Sequence, residues 1–127
     1  MSRSAPVIAA GARSPLVVRP ARPDDDAARR ELLASVAMDA DLSLSIRRRP
    51  TVDAMYALHA SAWDSWVVAD DAGRIEGMGS VLVREGRLDG RIVKVGYLGD
   101  LRLSGRAEGR QLLDRAYGPI LEAARAR

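Results

Sequence analysis

From Val95 to Leu113 the chain reads Val-Gly-Tyr-Leu-Gly-Asp-Leu-Arg-Leu-Ser-Gly-Arg-Ala-Glu-Gly-Arg-Gln-Leu-Leu. The pattern is a strand, a short loop bearing Gly105, Arg106, Gly109 and Arg110, and the first turns of an amphipathic helix. Free N–H groups of a first helical turn point one way, and the helix dipole favours negative charge there. Glycine lets a ligand come close to the backbone, and arginine forks match phosphate oxygens. The chemistry these residues suit is the holding of a phosphate or pyrophosphate. The same residue types also occur in an ordinary strand-to-helix connection, so the stretch alone leaves both readings open.

Other chemistries are bounded by what the chain lacks. With no cysteine there is no disulfide, no thiolate metal site and no cysteine nucleophile. His59 is the single histidine, which removes a histidine-based metal cluster. No apolar run reaches the roughly 18 residues of a membrane span. Met1–Ser14 has only Val7–Ala10 as an apolar stretch, too short for a secretory signal, and reads as a flexible tail. A cytoplasmic protein with no membrane partner is the expectation. Lys94 is the only lysine among 20 basic residues, and the net charge is +3. Tyr56, Trp63, Trp66, Tyr97 and Tyr117 are not interleaved with the arginines as a base-stacking platform would require, so nucleic acid is a minor reading. The run Arg47-Arg48-Arg49 is read as a solvated loop.

The 127 residues make one domain, and 47% apolar content is enough for a single core. A flexible tail over 1–14 precedes a folded part over 15–127. Pro15–Pro20 has the composition of an edge strand. Pro23-Asp24-Asp25-Asp26 opens a helix whose apolar stripe Ala28, Leu32, Leu33, Val36 and Ala37 carries it to about Met38. Asp39–Pro50 is polar loop. A second helix starts near Thr51, a candidate N-cap, with Val52, Met55, Tyr56 and His59 on one stripe. On that stripe His59 is read as a partly buried structural histidine in preference to a catalytic one.

Three strands follow, near 65–70, 75–84 and 91–103. Asp70-Asp71-Ala72-Gly73 turns between the first two, and Glu85–Gly90 connects the last two. In the last strand Val93, Val95, Tyr97, Gly99, Leu101 and Leu103 form one apolar face, and Gly96 and Gly99 signal a bulge or a close backbone approach. The closing helix has a broad stripe of Leu112, Leu113, Ala116, Tyr117, Ile120, Leu121 and Ala124, with a kink or break expected at Pro119.

This order of elements, with Val18-Arg19-Pro20-Ala21-Arg22-Pro23-Asp24-Asp25 and Asp100–Leu113, resembles the GNAT superfamily of acyl-CoA-dependent N-acetyltransferases. The stretch from Val18 to Asp25 is similar to the family's opening strand and acidic helix start. The stretch from Asp100 to Leu113 is similar to its acyl-CoA motif. The resemblance runs over about Leu16–Arg127. It implies an α/β (α+β) fold: a mixed, mostly antiparallel GNAT-like sheet with two N-terminal helices on one face and a C-terminal helix on the other. It implies acetyl transfer from acetyl-CoA, as cosubstrate, to an amine. The phosphate cradle would be Arg106, Ala107, Glu108, Gly109, Arg110 and Gln111. The thioester carbonyl would take an N–H from around Leu101 to Leu103, and the base would be Asp100 or Glu85. Each of those carboxylates is read as a structural or surface group in preference to a base.

The sequence departs from the family pattern in two ways. In one register Glu108 stands where the motif has glutamine or arginine, and a carboxylate facing pyrophosphate repels it. In the other, Arg106 and Gly109 fit, but Gln111 replaces a small residue. The family's later strands and their frequent tyrosine acid do not follow, so the expectation is a truncated or partner-completed GNAT-like acyltransferase domain over 15–127. Its last strand would expose an unpaired edge, through which a homo-oligomer could form. The alternatives are a non-catalytic remnant or interaction subunit completed by another chain and, behind it, a basic nucleic-acid-binding module.

Overall fold

The computed structural model describes residues 7–8, 15–35, 41–42, 44–105 and 112–127. Five antiparallel strands lie side by side in chain order: β1 (Val7–Ile8), β2 (Leu16–Pro20), β3 (Ala62–Ala69), β4 (Ile75–Leu88) and β5 (Arg91–Leu103). The helices are α1 (Asp26–Ser35), entered through a 3-10 turn at Pro23–Asp25, the single turn α2 (Tyr56–His59), entered through Asp53–Met55, and α3 (Leu112–Arg125). Val7–Ile8 pairs with β2 inside the stretch read as a tail.

The local reasons are visible. Arg19 on β2 grips Asp25 with both guanidinium nitrogens at 2.7 and 2.9 Å, and Asp25 also accepts from the Arg22 N–H at 2.7 Å. That contact, with Pro23 at the first helical position, turns the strand into α1. The Arg19 guanidinium, followed by the Arg22 N–H, holds the Asp25 carboxyl below its ordinary range against the opposing effect of burial. Thr51 Oγ1 accepts from the Ala54 N–H at 3.2 Å, as a capping residue should. Asp70 and Gly73, the latter at φ 82°, close the β3–β4 turn.

Strand alternation divides the sheet into two faces. Val67 and Met78 stand opposite one another, both buried, and Met78 packs with Leu32, Leu33, Val52 and Tyr56 beneath α1 and α2. Leu16, Val18 and Val68 point the other way and pack with Ala116 of α3. The two N-terminal helices and the C-terminal helix therefore cover opposite faces, as expected. No described helix is long and apolar enough to cross a membrane.

Several expectations need correction. Glu85 is not in a hairpin connection but in β4, opposite Lys94. The ladder persists to the Leu88–Arg91 pair because Asp89 and Gly90, at φ 50° and 77°, make a two-residue turn whose twist matches the strands. His59 is exposed, not half-buried. α2 is one turn long, so only the Val52–Tyr56 stripe reaches the core while Met55 and His59 stay outside. Pro119 does not break α3, which buries Ala116 before it and packs Ile120 after it. The expected reach of α1 to Met38 lies outside the described residues.

Candidate functional site

The site grows from a fault in β5. Up to Gly99 the strand alternates in step with β4: Val95 opposes Arg84, Tyr97 opposes Leu82 and Gly99 opposes Ser80. The register then slips between Met78 and Ser80, and the ladder resumes with Arg102 opposite Met78 and Leu103 opposite Gly77. The extra residue is accommodated at Asp100, whose φ is 54°. A bulge with its first residue left-handed is a known way to insert one residue and flip the sides of all that follow. The single apolar face expected from Val93 to Leu103 is thus split. Tyr97 and Gly99 lie on the α1–α2 face, and Leu103 lies on the α3 face with Gly77. Gly99 signalled the fault one residue early. A Cβ there would come within 2.8 Å of the Tyr97 ring.

On the α1–α2 face a polar network reaches the bulge. Buried Arg29 on α1 donates to Asp53 at 2.6 Å, and Asp53 also accepts from Ser65 Oγ at 3.0 Å and Trp63 Nε1 at 3.3 Å. Ser65 Oγ lies 3.1 Å from Ser80 Oγ. Tyr56, 1% exposed, donates its hydroxyl to Asp100 Oδ2, and Arg48 Nη2 donates to Oδ1 at 3.1 Å. The Arg48 guanidinium also lies 5.7 Å from the centre of the Tyr56 ring. Burial first, then the hydrogen bond and negative charge of Asp100, push the Tyr56 hydroxyl well above its ordinary range, so it remains a donor. Arg48 therefore leaves the solvated loop assigned to it: its side chain is mostly buried, while Arg47 and Arg49 are exposed.

The α3 face of the same bulge is apolar. A cavity of about 200 Å³ lies between β5, the sheet and α3, bordered among others by Trp66, Val68, Leu101, Leu103, Ala116 and Ile120. Beyond Leu103 the Ser104 N–H still bonds the Glu76 carbonyl at 2.8 Å, and the Ser104 hydroxyl donates to the Glu76 carboxylate. Among the described residues β5 is paired on one side only. Its side chains Ile92, Tyr97, Leu98 and Leu101 are exposed.

No family model matches the sequence, and no curated protein matches it. Solved structures do. A glucosamine-6-phosphate N-acetyltransferase from Arabidopsis thaliana superposes with a TM-score of 0.60 at 18% identity, over 87% of this chain and 75% of that one. An acetyltransferase from Trypanosoma brucei gives 0.61 at 20% identity over the same shares of each chain. The fold is the GNAT acetyltransferase fold.

Within this GNAT fold the residues singled out from the sequence part company. Asp100, Leu101 and Leu103 come together at the bulge, the two leucines bordering the apolar cavity and the Asp100 carboxylate on the opposite face. Glu85 does not join them: it is exposed and sits opposite Lys94, toward the far end of the β4–β5 hairpin. Arg106, Ala107, Glu108, Gly109, Arg110 and Gln111 lie outside the described residues. Tyr56, Arg48 and Ser80 were missed as site residues. Tyr56 stood on a readable helical stripe, but nothing local links it to a carboxylate 44 positions away.

Proposed function

We propose that this chain is an acyltransferase that moves an acetyl group from acetyl-CoA to an amine in the cytoplasm. The observation that carries the reading is the bulge in an edge strand at Asp100. It turns the backbone of Leu101–Leu103 relative to the rest of β5, beside an open edge and above an apolar cavity. An N–H on that edge suits the thioester oxygen, where negative charge develops as the amine attacks. The apolar cavity fits the uncharged arm and acyl group of the thioester, and none of the described residues bordering it is a cation that would favour a charged acyl group. Arg106–Gln111, leading into α3, keep the phosphate role inferred from their types and spacing. Two proton acceptors stand near the edge: the Asp100 carboxylate and solvent. Glu85, opposite Lys94 toward the far end of the hairpin, is the less favoured of the two carboxylates in this reading.

Titration calorimetry on the full chain tests the cofactor. CoA should bind weakly, lose affinity in Arg106→Ala and at raised salt, and bind no worse in Glu108→Arg. Tight, salt-insensitive binding untouched by Arg106→Ala would place the phosphates elsewhere. Thiol release from acetyl-CoA with a panel of primary amines then separates the enzyme from the non-catalytic remnant. Binding without amine-dependent release would favour the non-catalytic remnant completed by a partner.

A further inference from the structure

A residue inside a strand at φ 54° occupies a region that costs any side chain except glycine's, with aspartate and asparagine the least penalised. Gly99 stands immediately before it, yet the left-handed position belongs to Asp100. Such a backbone persists only where its surroundings over-determine it. Here they do. One carboxylate oxygen is held by Tyr56 from α2 and the other by Arg48 from the loop before α2. The Arg48 and Asp100 side chains are 12% and 11% exposed. Both donors come from a single segment, Arg48 to Tyr56, and that segment is itself fixed by Asp26 accepting from the Val52 N–H at 2.8 Å. The bulge therefore has no independent freedom. Its placement is tied through α2 to α1.

We propose that Asp100, Tyr56 and Arg48 form a clamp that sets the direction of the Leu101–Leu103 backbone, making Tyr56 and Arg48 positioning residues for acyl transfer. The inference rests on the acyltransferase reading. Asp100 spends both oxygens on the clamp, and the ammonium proton leaves to solvent at the open edge. A polarising N–H works only when its aim matches the developing oxyanion, so a bulge free to relax by a fraction of an ångström loses rate before it loses cofactor.

Two conservative variants separate clamp from base. Tyr56→Phe leaves the carboxylate in place but removes one of its donors. Asp100→Asn keeps a residue tolerant of left-handed backbone and an acceptor for Tyr56, but turns an amide NH2 toward the Arg48 guanidinium, so it loses that arm of the clamp as well as the proton-accepting carboxylate. The clamp predicts that Tyr56→Phe lowers kcat about tenfold with CoA affinity unchanged. It also predicts that the carbonyl stretch of bound 13C-acetyl-CoA moves toward its free value in Tyr56→Phe and in Asp100→Asn alike. Activity lost in Asp100→Asn but kept in Tyr56→Phe, with the stretch unmoved in both, makes Asp100 the base and overturns the clamp. Amide hydrogen exchange in the unliganded chain reads the clamp without any substrate. Exchange over residues 98–104 should quicken about tenfold in Tyr56→Phe, as loss of one buried hydrogen bond allows. Unchanged exchange overturns the clamp whatever the chain catalyses. Quickened exchange in a chain that never binds acetyl-CoA removes the acyltransferase reading and, with it, the catalytic role of a clamp that still holds the bulge.

Discussion

On the α1–α2 side the sheet presents Ser65, Ser80 and Asp100 to Asp53, Tyr56 and Arg48, whereas on the α3 side the same strands present Val68, Leu101 and Leu103 to Ala116 and Ile120 around unfilled space. The two sides constrain the bulge differently. Hydrogen bonds are directional, so the polar side fixes where Asp100 sits and how the chain leaves it. Apolar contacts are not directional, so the other side tolerates a gap that a ligand can occupy. A bulge pinned from one face and left open on the other is a sound arrangement for aiming backbone groups at a bound molecule.

If that contrast is right, the largest loss should come from the polar side. Asp53→Ala leaves Arg29, 3% exposed, without its partner, and should cost about 3 kcal/mol in chemical denaturation, as uncompensated buried charges do. Combining it with Arg29→Met should recover much of that loss. A cost near zero for Asp53→Ala would show that the network is decorative.

A smaller effect should appear at alkaline pH. The Tyr56 hydroxyl is raised above its ordinary value of 10.0, so the folded state favours the protonated phenol. Its contribution to stability is complete below pH 10 and is lost as pH rises beyond that value. Between about pH 9 and 11 the midpoint of unfolding should fall more steeply for the parent than for Tyr56→Phe, once the other tyrosines' shared contribution is subtracted. Parallel curves would mean that the hydroxyl is not held by Asp100.

The smallest effect belongs to the apolar side. Among the described residues a Cβ at Gly79 meets only Leu101 Cδ1, at 3.8 Å, so Gly79→Val adds volume beside the cavity at little cost. Its thermal midpoint should stay level or rise slightly, within about 1 kcal/mol of stability. A loss of several kcal/mol would mean that this space is not open.

Periodicity and turn chemistry carried most of the architecture. The apolar alternation of 91–103, the Asp70–Gly73 turn, the Pro23 helix start and the α3 stripe each depend on neighbours within a few residues, so strand and helix positions were readable in order. Arg19 and Asp25 also sit close enough in sequence for their phrase to be recognised before their ion pair was visible. The left-handed Asp100 was not readable, because the local signal of a fault fell on glycines and the carboxylate's partners lie 44 and 52 positions away. Nor was the burial of Arg48, which shares a run with two exposed arginines, or the exposure of His59, which a longer helix would have covered. A side chain's partners across a sheet are set by where two strands register, and that register was decided only when the helices and the bulge closed on one another.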